Sequence, residues 1–344
     1  MKKFLSIVFV FGVVGLLKAQ DPQFSQYYNA PMYLNPGFTG ITEQQRVVVN
    51  NRIQWPSLPQ AFTTYSASYD IWVDELRSGF GVIATTDKQG SAGWRSTNFG
   101  LLYSYKIKIN DKLVFSPGLY FGYGFNGLDR TKLLFGDQLG FNTQGPTGDP
   151  DFKRLGNKQY FDFGSGGVFY TKTLFFGASF SHMNTPNLSI LGSESKLPMK
   201  SVIHGGARIP LYNGPRRIAR VSYLTPSFIF QKQGTITQLS LGLNYHIDPV
   251  SIGVWYRGKP YEKIPDSKLP NQDAIIFNMG LYMDHITIGY SYDFSISQLS
   301  TTSGGAHEIS LIYEFTAKPL DRGVKKRNQL IPCPTFNTKS SFWK

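Results

Sequence analysis

The chain has 344 residues, with 35 Lys and Arg against 22 Asp and Glu for a formal net charge of +13, and it is rich in aromatic residues (15%) and glycine (35) while only 17% of its residues are charged. The cations are scattered, with "KKR" at 325–327 the main cluster, so the charge suits an anionic envelope surface and argues against a nucleic-acid groove. The lone Cys333 excludes an internal disulfide, and no segment behind the N-terminal leader has the length and apolarity of a membrane helix. A membrane-spanning form of this chain is therefore a closed barrel.

Residues 1–19 read as a secretory signal peptide. Lys2 and Lys3 precede an apolar stretch over 4–17, shorter than the roughly 20 residues of a spanning helix, and Ala19 supplies the small residue before the cut. Cleavage leaves a chain starting near Gln20 whose charge, without Lys2, Lys3 and Lys18, is +10.

Behind the cut comes "QDPQFSQYYNAPMYLNPGFTG" (20–40), almost uncharged and dense in Gln, Tyr, Asn and Pro. Pro22, Pro31 and Pro36 forbid a continuous helix, and "NPG" marks a turn at 35–37. This composition is too polar for lipid and too aromatic for an inert linker. Residues 20–44 are accordingly a pre-barrel segment that either folds into a lumen as a plug or serves as a periplasmic docking strand; plain local packing accounts for the same residues.

From residue 45 onward, apolar and polar residues alternate. In "FGLLYSYKIKI" (99–109), "TQLSLGLNYHI" (237–247), "HITIGYSYDF" (285–294) and "HEISLIYEF" (307–315) one face is Leu, Ile, Tyr and Phe and the other is mixed polar. Strands are expected near 45–54, 62–71, 77–86, 94–107, 112–124, 159–170, 172–183, 200–211, 217–230, 235–247, 250–258, 273–283, 284–294 and 306–316, about fourteen in all. Alternate joints are tight ("VDEL", "NDK", "YTK", "NGP", "DP", "MD"). The others are mostly longer, above all 126–158, 184–199, 258–272 and 295–305. That asymmetry predicts an all-β fold: a transmembrane antiparallel β-barrel over 45–316, with short periplasmic turns and long outer loops. A pair of secreted sandwiches fits the alternation but not this rhythm. Residues 317–344 form a basic periplasmic tail.

Chemistry is scarce. No GxSxG, HExxH, paired CxxC or phosphate loop occurs in a supporting context, so an enzyme is not expected, nor a cofactor or a metal. The five histidines fall in or at the ends of strands, with His285 and His307 at opposite ends of the barrel. Asp70, Asp87, Asp129 and Asp137 occupy strand ends or loops, where solvated charge is expected. "GDQLGFNTQGPTGDPDF" (136–152) lacks the ligand spacing of a calcium loop and reads as a flexible outer loop.

The stretch "DPQFSQYYNAPMYLNPGFTG" resembles the start of the PorP/SprF family of type IX secretion outer-membrane proteins of the Bacteroidetes, as do "LLFGDQ" (133–138) and "SHMNTPN" (181–187) farther on. The resemblance implies a non-enzymatic outer-membrane barrel that binds, anchors or helps export a secreted or surface protein such as a gliding adhesin, working with translocon or periplasmic-ring components. It assigns partner recognition to Asp21, Pro22, Gln23, Phe24, Ser25, Gln26, Tyr27, Tyr28, Asn29, Pro31, Asn35 and Pro36. The alternative from a different class is a solute channel of porin or fatty-acid-transporter type. A channel normally carries charged rings at its narrowest part, whereas the inward faces here read as Gly- and Ser-rich and poor in charge.

Overall fold

The computed structural model describes residues 21–315 apart from 43–44, 59–60, 91–92, 139–146, 151, 153–155, 191–193, 213–221, 264–269 and 297–302. The leader, the basic tail and Cys333 lie outside the described residues.

Alternation turns into a wall because successive side chains of a strand point to opposite faces. The strands are β1 Arg46–Gln54, β2 Phe62–Val73, β3 Ser78–Gln89, β4 Trp94–Tyr105 continued by Ile107–Lys108, β5 Val114–Gly127, β6 Lys158–Tyr170 and β7 Leu174–Ser181. They are followed by β8 Lys200–Ala207 continued by Ile209–Tyr212, β9 Ser222–Gln233, β10 Ile236–Ile247, β11 Val250–Lys263, β12 Pro270–Met283, β13 Ile286–Ser295 and β14 Ala306–Glu314. Each strand pairs antiparallel with the next, and β14 closes on β1 in unbroken register from Glu314 opposite Arg46 to Ala306 opposite Gln54. The result is a closed fourteen-stranded barrel. Among the described residues no helix is long and apolar enough to cross a membrane; the strands do so.

The outer face is the apolar one. Phe99, Leu101, Tyr103, Leu241, Leu243, Ile288, Ile309 and Leu311 are exposed, while their neighbours Leu102, Ser104, Ser240, Ser291, Glu308 and Ser310 are buried inside. Toward the loop end Phe99, Tyr123, Phe125 and Phe161 pack edge to face along β4, β5 and β6, as an aromatic girdle does at a membrane interface.

The start of β1 at Arg46 and the end of β14 at Glu314 lie where the joints are short: 74–77, 109–113, 171–173, 248–249 and 284–285. The opposite end carries the long connections, with two exceptions, the 90–93 joint between β3 and β4 and the tight Gly234 hairpin between β9 and β10. Several strands run farther toward the loop end than alternation predicts. β3 reaches Gln89, β5 reaches Gly127 and β11 reaches Lys263. The ladder outlasts the lipid there, so hydrogen bonding continues after the apolar face has ended.

Leu241 sits midway along β10 on the outer face and is 48% exposed. Leu241→Arg is expected to destabilise the inserted barrel by roughly 2–4 kcal/mol, the cost of a cation near the bilayer midplane. Urea unfolding from bilayers measures it; an unchanged midpoint would contradict this register.

Candidate functional site

Residues 21–42 run through the lumen from the loop end to the turn end before the chain enters β1. Proline sets their local shape. A 3-10 turn over Tyr27–Asn29 leads into one helical turn at Pro31–Leu34, with Pro31 at its first position, where the missing N–H costs nothing. Asn35 then caps a second 3-10 turn, Pro36–Phe38, its Oδ1 accepting from Gly37 N at 2.8 Å. Within the segment Phe24 packs edge-on to Tyr33, whose hydroxyl donates to Pro22 O.

A segment in this irregular conformation leaves many backbone groups unpaired, and the barrel wall satisfies them. Three inward serines donate to its carbonyls: Ser179 to Leu34 O and Ser116 to Gly37 O at 2.8 Å, and Ser104 to Thr39 O at 2.7 Å. Asn35 Nδ2 reaches Ala178 O and His204 Nε2 at 3.0 Å and Gly167 O at 3.1 Å. Inward glycines let the backbones meet. A Cβ at Gly118 would collide with Pro36 and Gly37, one at Gly79 with Thr39, and one at Gly289 with Gln26 and Asn29.

Charge fixes both ends and the upper middle. At the turn end Asp70 receives two bonds from Arg46, at 3.0 and 2.9 Å, and one from Gly40 N at 2.8 Å, while Lys106 donates to Gly40 O at 2.9 Å from above the Trp72 ring. Higher up, the Ser25 hydroxyl donates to Asp293 Oδ2 at 2.7 Å and accepts from Arg52 at 2.7 Å and Arg257 at 3.0 Å, which uses its full bonding capacity. Glu308 accepts from Ser25 N at 2.6 Å and Gln26 N at 3.1 Å, and the Gln26 amide donates to Glu308 O. Asn29 Nδ2 bonds Ser310 Oγ at 2.7 Å, and Tyr27 packs on Trp255.

At the loop end Asp21 Oδ2 lies 2.7 Å from His182 Nε2 and 3.7 Å from Lys200 Nζ; the other ring nitrogen of His182 is 2.9 Å from Asp162. Burial lowers the His182 pKa, but the carboxylates of Asp21 and Asp162 outweigh it and raise it to about 10. Burial raises that of Asp21, and the charge and hydrogen bond of His182, with Lys200, outweigh it and hold the carboxyl well below its usual range.

Two sequence expectations are corrected. Asp70 and Asp87 are not solvated but buried, at 0% and 3% exposure; Asp129 and Asp137 are exposed as expected. The inward faces are not poor in charge either, because Arg46, Arg52, Asp70, Lys106, Asp162, Arg257, Asp293 and Glu308 are all buried. For Arg52, Asp293 and Glu308 the partners lie far away in sequence, so no local pattern reveals them; Asp70 meets Arg46 across a neighbouring strand. The inward Gly and Ser residues were legible, and they are the signal that marks a wall lined by another backbone.

Of the expected recognition residues, Phe24, Ser25, Gln26, Asn29 and Asn35 are at most 1% exposed and Tyr27, Pro31 and Pro36 are also buried; Asp21, Pro22, Gln23 and Tyr28 are half-buried. All are gathered in the lumen. The cavities of about 30, 60 and 80 Å³ left around the segment are lined by its own residues and the wall.

Fold and site together define an outer-membrane β-barrel whose lumen is occupied by its own N-terminal segment. The sequence matches, over residues 16–313, the family described as type IX secretion system membrane protein PorP/SprF, and the chain belongs to that family. No curated protein matches it closely enough to count as a relative. Among solved structures it is similar to the P. putida toluene transporter TodX, at 11% identity over 84% of this chain and 95% of that one, with a TM-score of 0.48. A Pseudomonas aeruginosa FadL homologue shares 12% identity over 82% of this chain and 93% of its own, with a TM-score of 0.43.

Removing one partner from a buried charge cluster costs roughly 3–5 kcal/mol. Asp293→Ala, which removes the carboxylate that Arg52 and Arg257 share and leaves them only Glu308 and Asp273 respectively, is expected to destabilise the barrel by about the lower end of that range, with Ile288→Ala on the outer face as the mild control, both read by urea unfolding. The Asp21–His182 clasp has its own pH signature. The raised pKa of His182 gives stability in full below its ordinary value of about 6.5, declining as pH rises toward about 10. The lowered pKa of Asp21 gives stability in full above its ordinary value near 3.8, declining as pH falls below it. The melting-temperature gap between wild type and His182→Gln is therefore expected to be widest between about pH 4 and 6.5 and to narrow toward pH 10. A gap that stays constant from pH 5 to 10 would contradict the clasp.

Proposed function

We propose that this protein is a non-enzymatic partner barrel of type IX secretion, which holds or helps export a secreted or surface protein and does not conduct solutes. The observation that carries this reading is the lumen segment 21–42. It is bonded to strands all round the barrel, through Asp293 and Glu308 on one side and through Ser104, Ser116 and Ser179 on the other. A channel would have to dislodge it, breaking buried ion-assisted bonds that contribute roughly 1.5–3 kcal/mol each. Family membership supports the link to secretion and to exported cargo.

On this reading Asp21, Pro22, Gln23, Phe24, Ser25, Gln26, Tyr27, Tyr28, Asn29, Pro31, Asn35 and Pro36 serve partner recognition as one seated unit. Their buried atoms hold the strands and loops in the arrangement a partner meets, and the half-buried Asp21, Pro22 and Gln23 contribute at the loop mouth. The long connections 128–157 and 182–199 at that end provide the contact area, since loops held by a rigid scaffold are where binding concentrates.

Deletion of residues 21–40 tests this. The shortened chain is expected to remain a membrane-inserted barrel, because water entering the emptied lumen solvates the stranded charges. It should lose partner display at the cell surface and gain ion conductance in planar bilayers, where the intact protein stays silent. Steady conductance by the intact protein would move the reading to a solute channel. Loss of the barrel itself would make the segment a structural element first.

A further inference from the structure

The outer wall is not uniform. Across β6 to β10 it carries an apolar depression of about 770 Å³, within the roughly 300–1,000 Å³ of small-molecule sites. It runs from Leu113 and Thr171, at the short-turn end, up to Leu241 at mid-wall. Gly205 forms its floor, and the outward rings of Phe176 and Phe228 stand on either side of that glycine. Gly205 and Phe228 also line the small lumen cavity behind, so the wall is thin here.

The depression lies on the apolar outer face, and its lower end is at the short-turn end of the barrel, the end expected to meet the periplasmic leaflet. Two exposed lysines sit at that opening, Lys112 in the turn before β5 and Lys172 in the turn before β7. Neither has an ion-pair partner among the described residues, whereas nearby Lys108 is paired with Asp111 at 2.7 Å. An apolar slot with unpaired cations at its foot is complementary to one kind of membrane molecule, an anionic head on an acyl chain.

We propose that the depression is a binding site for an anionic phospholipid of the periplasmic leaflet, its acyl chain laid between Phe176 and Phe228 over Gly205 and its phosphate held by Lys112 and Lys172. The site is separate from the lumen segment and from the loop end.

The test uses the full-length protein in vesicles containing phosphatidylglycerol with a photoreactive diazirine on the acyl chain. Adducts mapped by mass spectrometry are expected to concentrate on residues 169–176, 205–207 and 226–228, and to be sparse on Ile288, Ile309 and Leu311 across the barrel. Ala207→Phe, which fills part of the slot and displaces about two methylenes of bound chain, should reduce labelling there roughly tenfold. The pair Lys112→Glu and Lys172→Glu should reduce labelling by this probe but not by the zwitterionic phosphatidylcholine analogue. Even labelling around the wall would overturn the proposal, as would a wild-type pattern in well-folded Ala207→Phe. Native mass spectrometry of protein taken from outer membranes supplies the last arm. Retained phospholipid upholds the assignment; retained lipopolysaccharide or a lipoprotein acyl chain overturns it. Should Ala207→Phe fail to insert, the wild-type adduct map decides alone.

Discussion

The structure depends on the charge buried inside the barrel. Arg52 and Arg257 share Asp293, and Glu308 lies beside Arg52, all with little access to water. Such a cluster is stabilised by hydrogen bonds to its remaining lone pairs and protons, because desolvation otherwise outweighs the attraction. The wall alone supplies only part of them. The hydroxyl and N–H of Ser25 and the N–H of Gln26, which belong to the N-terminal segment, supply more, and leave Arg52 Nε and Asp293 Oδ1 without a protein partner. The same holds at the turn end, where Asp70 and Lys106 take up the two backbone groups of Gly40. Segment and wall are two halves of one polar core, wrapped in a shell whose apolar face points outward.

The shell was legible in the sequence and the core much less so. Alternation depends only on the pleat and on lipid, so strands such as Ile236–Ile247 and Ile286–Ser295 could be read from their own residues alone, and the rhythm of short and long joints from the spacing between them. Boundaries slipped where the apolar face stopped before the ladder did, at Lys88 and Gln89 in β3 and beyond Gly258 in β11. Buried charges escaped because a lone Asp in a strand looks the same whether it meets water or an arginine far along the chain. Asp70 and Arg46 are close in sequence and could have been paired; Ser25 and Glu308 could not.

The opening stretch explains itself once its surroundings are known. It must cross a polar lumen without a regular ladder, so its carbonyls need donors from outside; Ser104, Ser116 and Ser179 provide them. It must lie against strands at backbone distance, so those strands carry glycine at Gly79, Gly118 and Gly289. Its own Gln and Asn side chains supply both donors and acceptors without the desolvation cost of a charge, which is why a segment so deeply buried holds Asp21 as its one carboxylate, at the loop end and paired with His182.

The seam between β1 and β14 brings these points together. Asn50 and Arg52 stand on one side of it, Glu308 and Ser310 on the other, and Ser25 and Asn29 bond to both, while Gln26 bonds to Glu308 and Ser310. Closing the barrel and seating the segment are therefore coupled in free energy: a closed but empty barrel must solvate the seam charges, and a seated segment with an open seam leaves Ser25 and Asn29 short of partners. Each event favours the other, so the chain that begins in the lumen also fixes where the wall begins and ends. A barrel built this way fills its centre with its own chain and holds wall and segment as one unit.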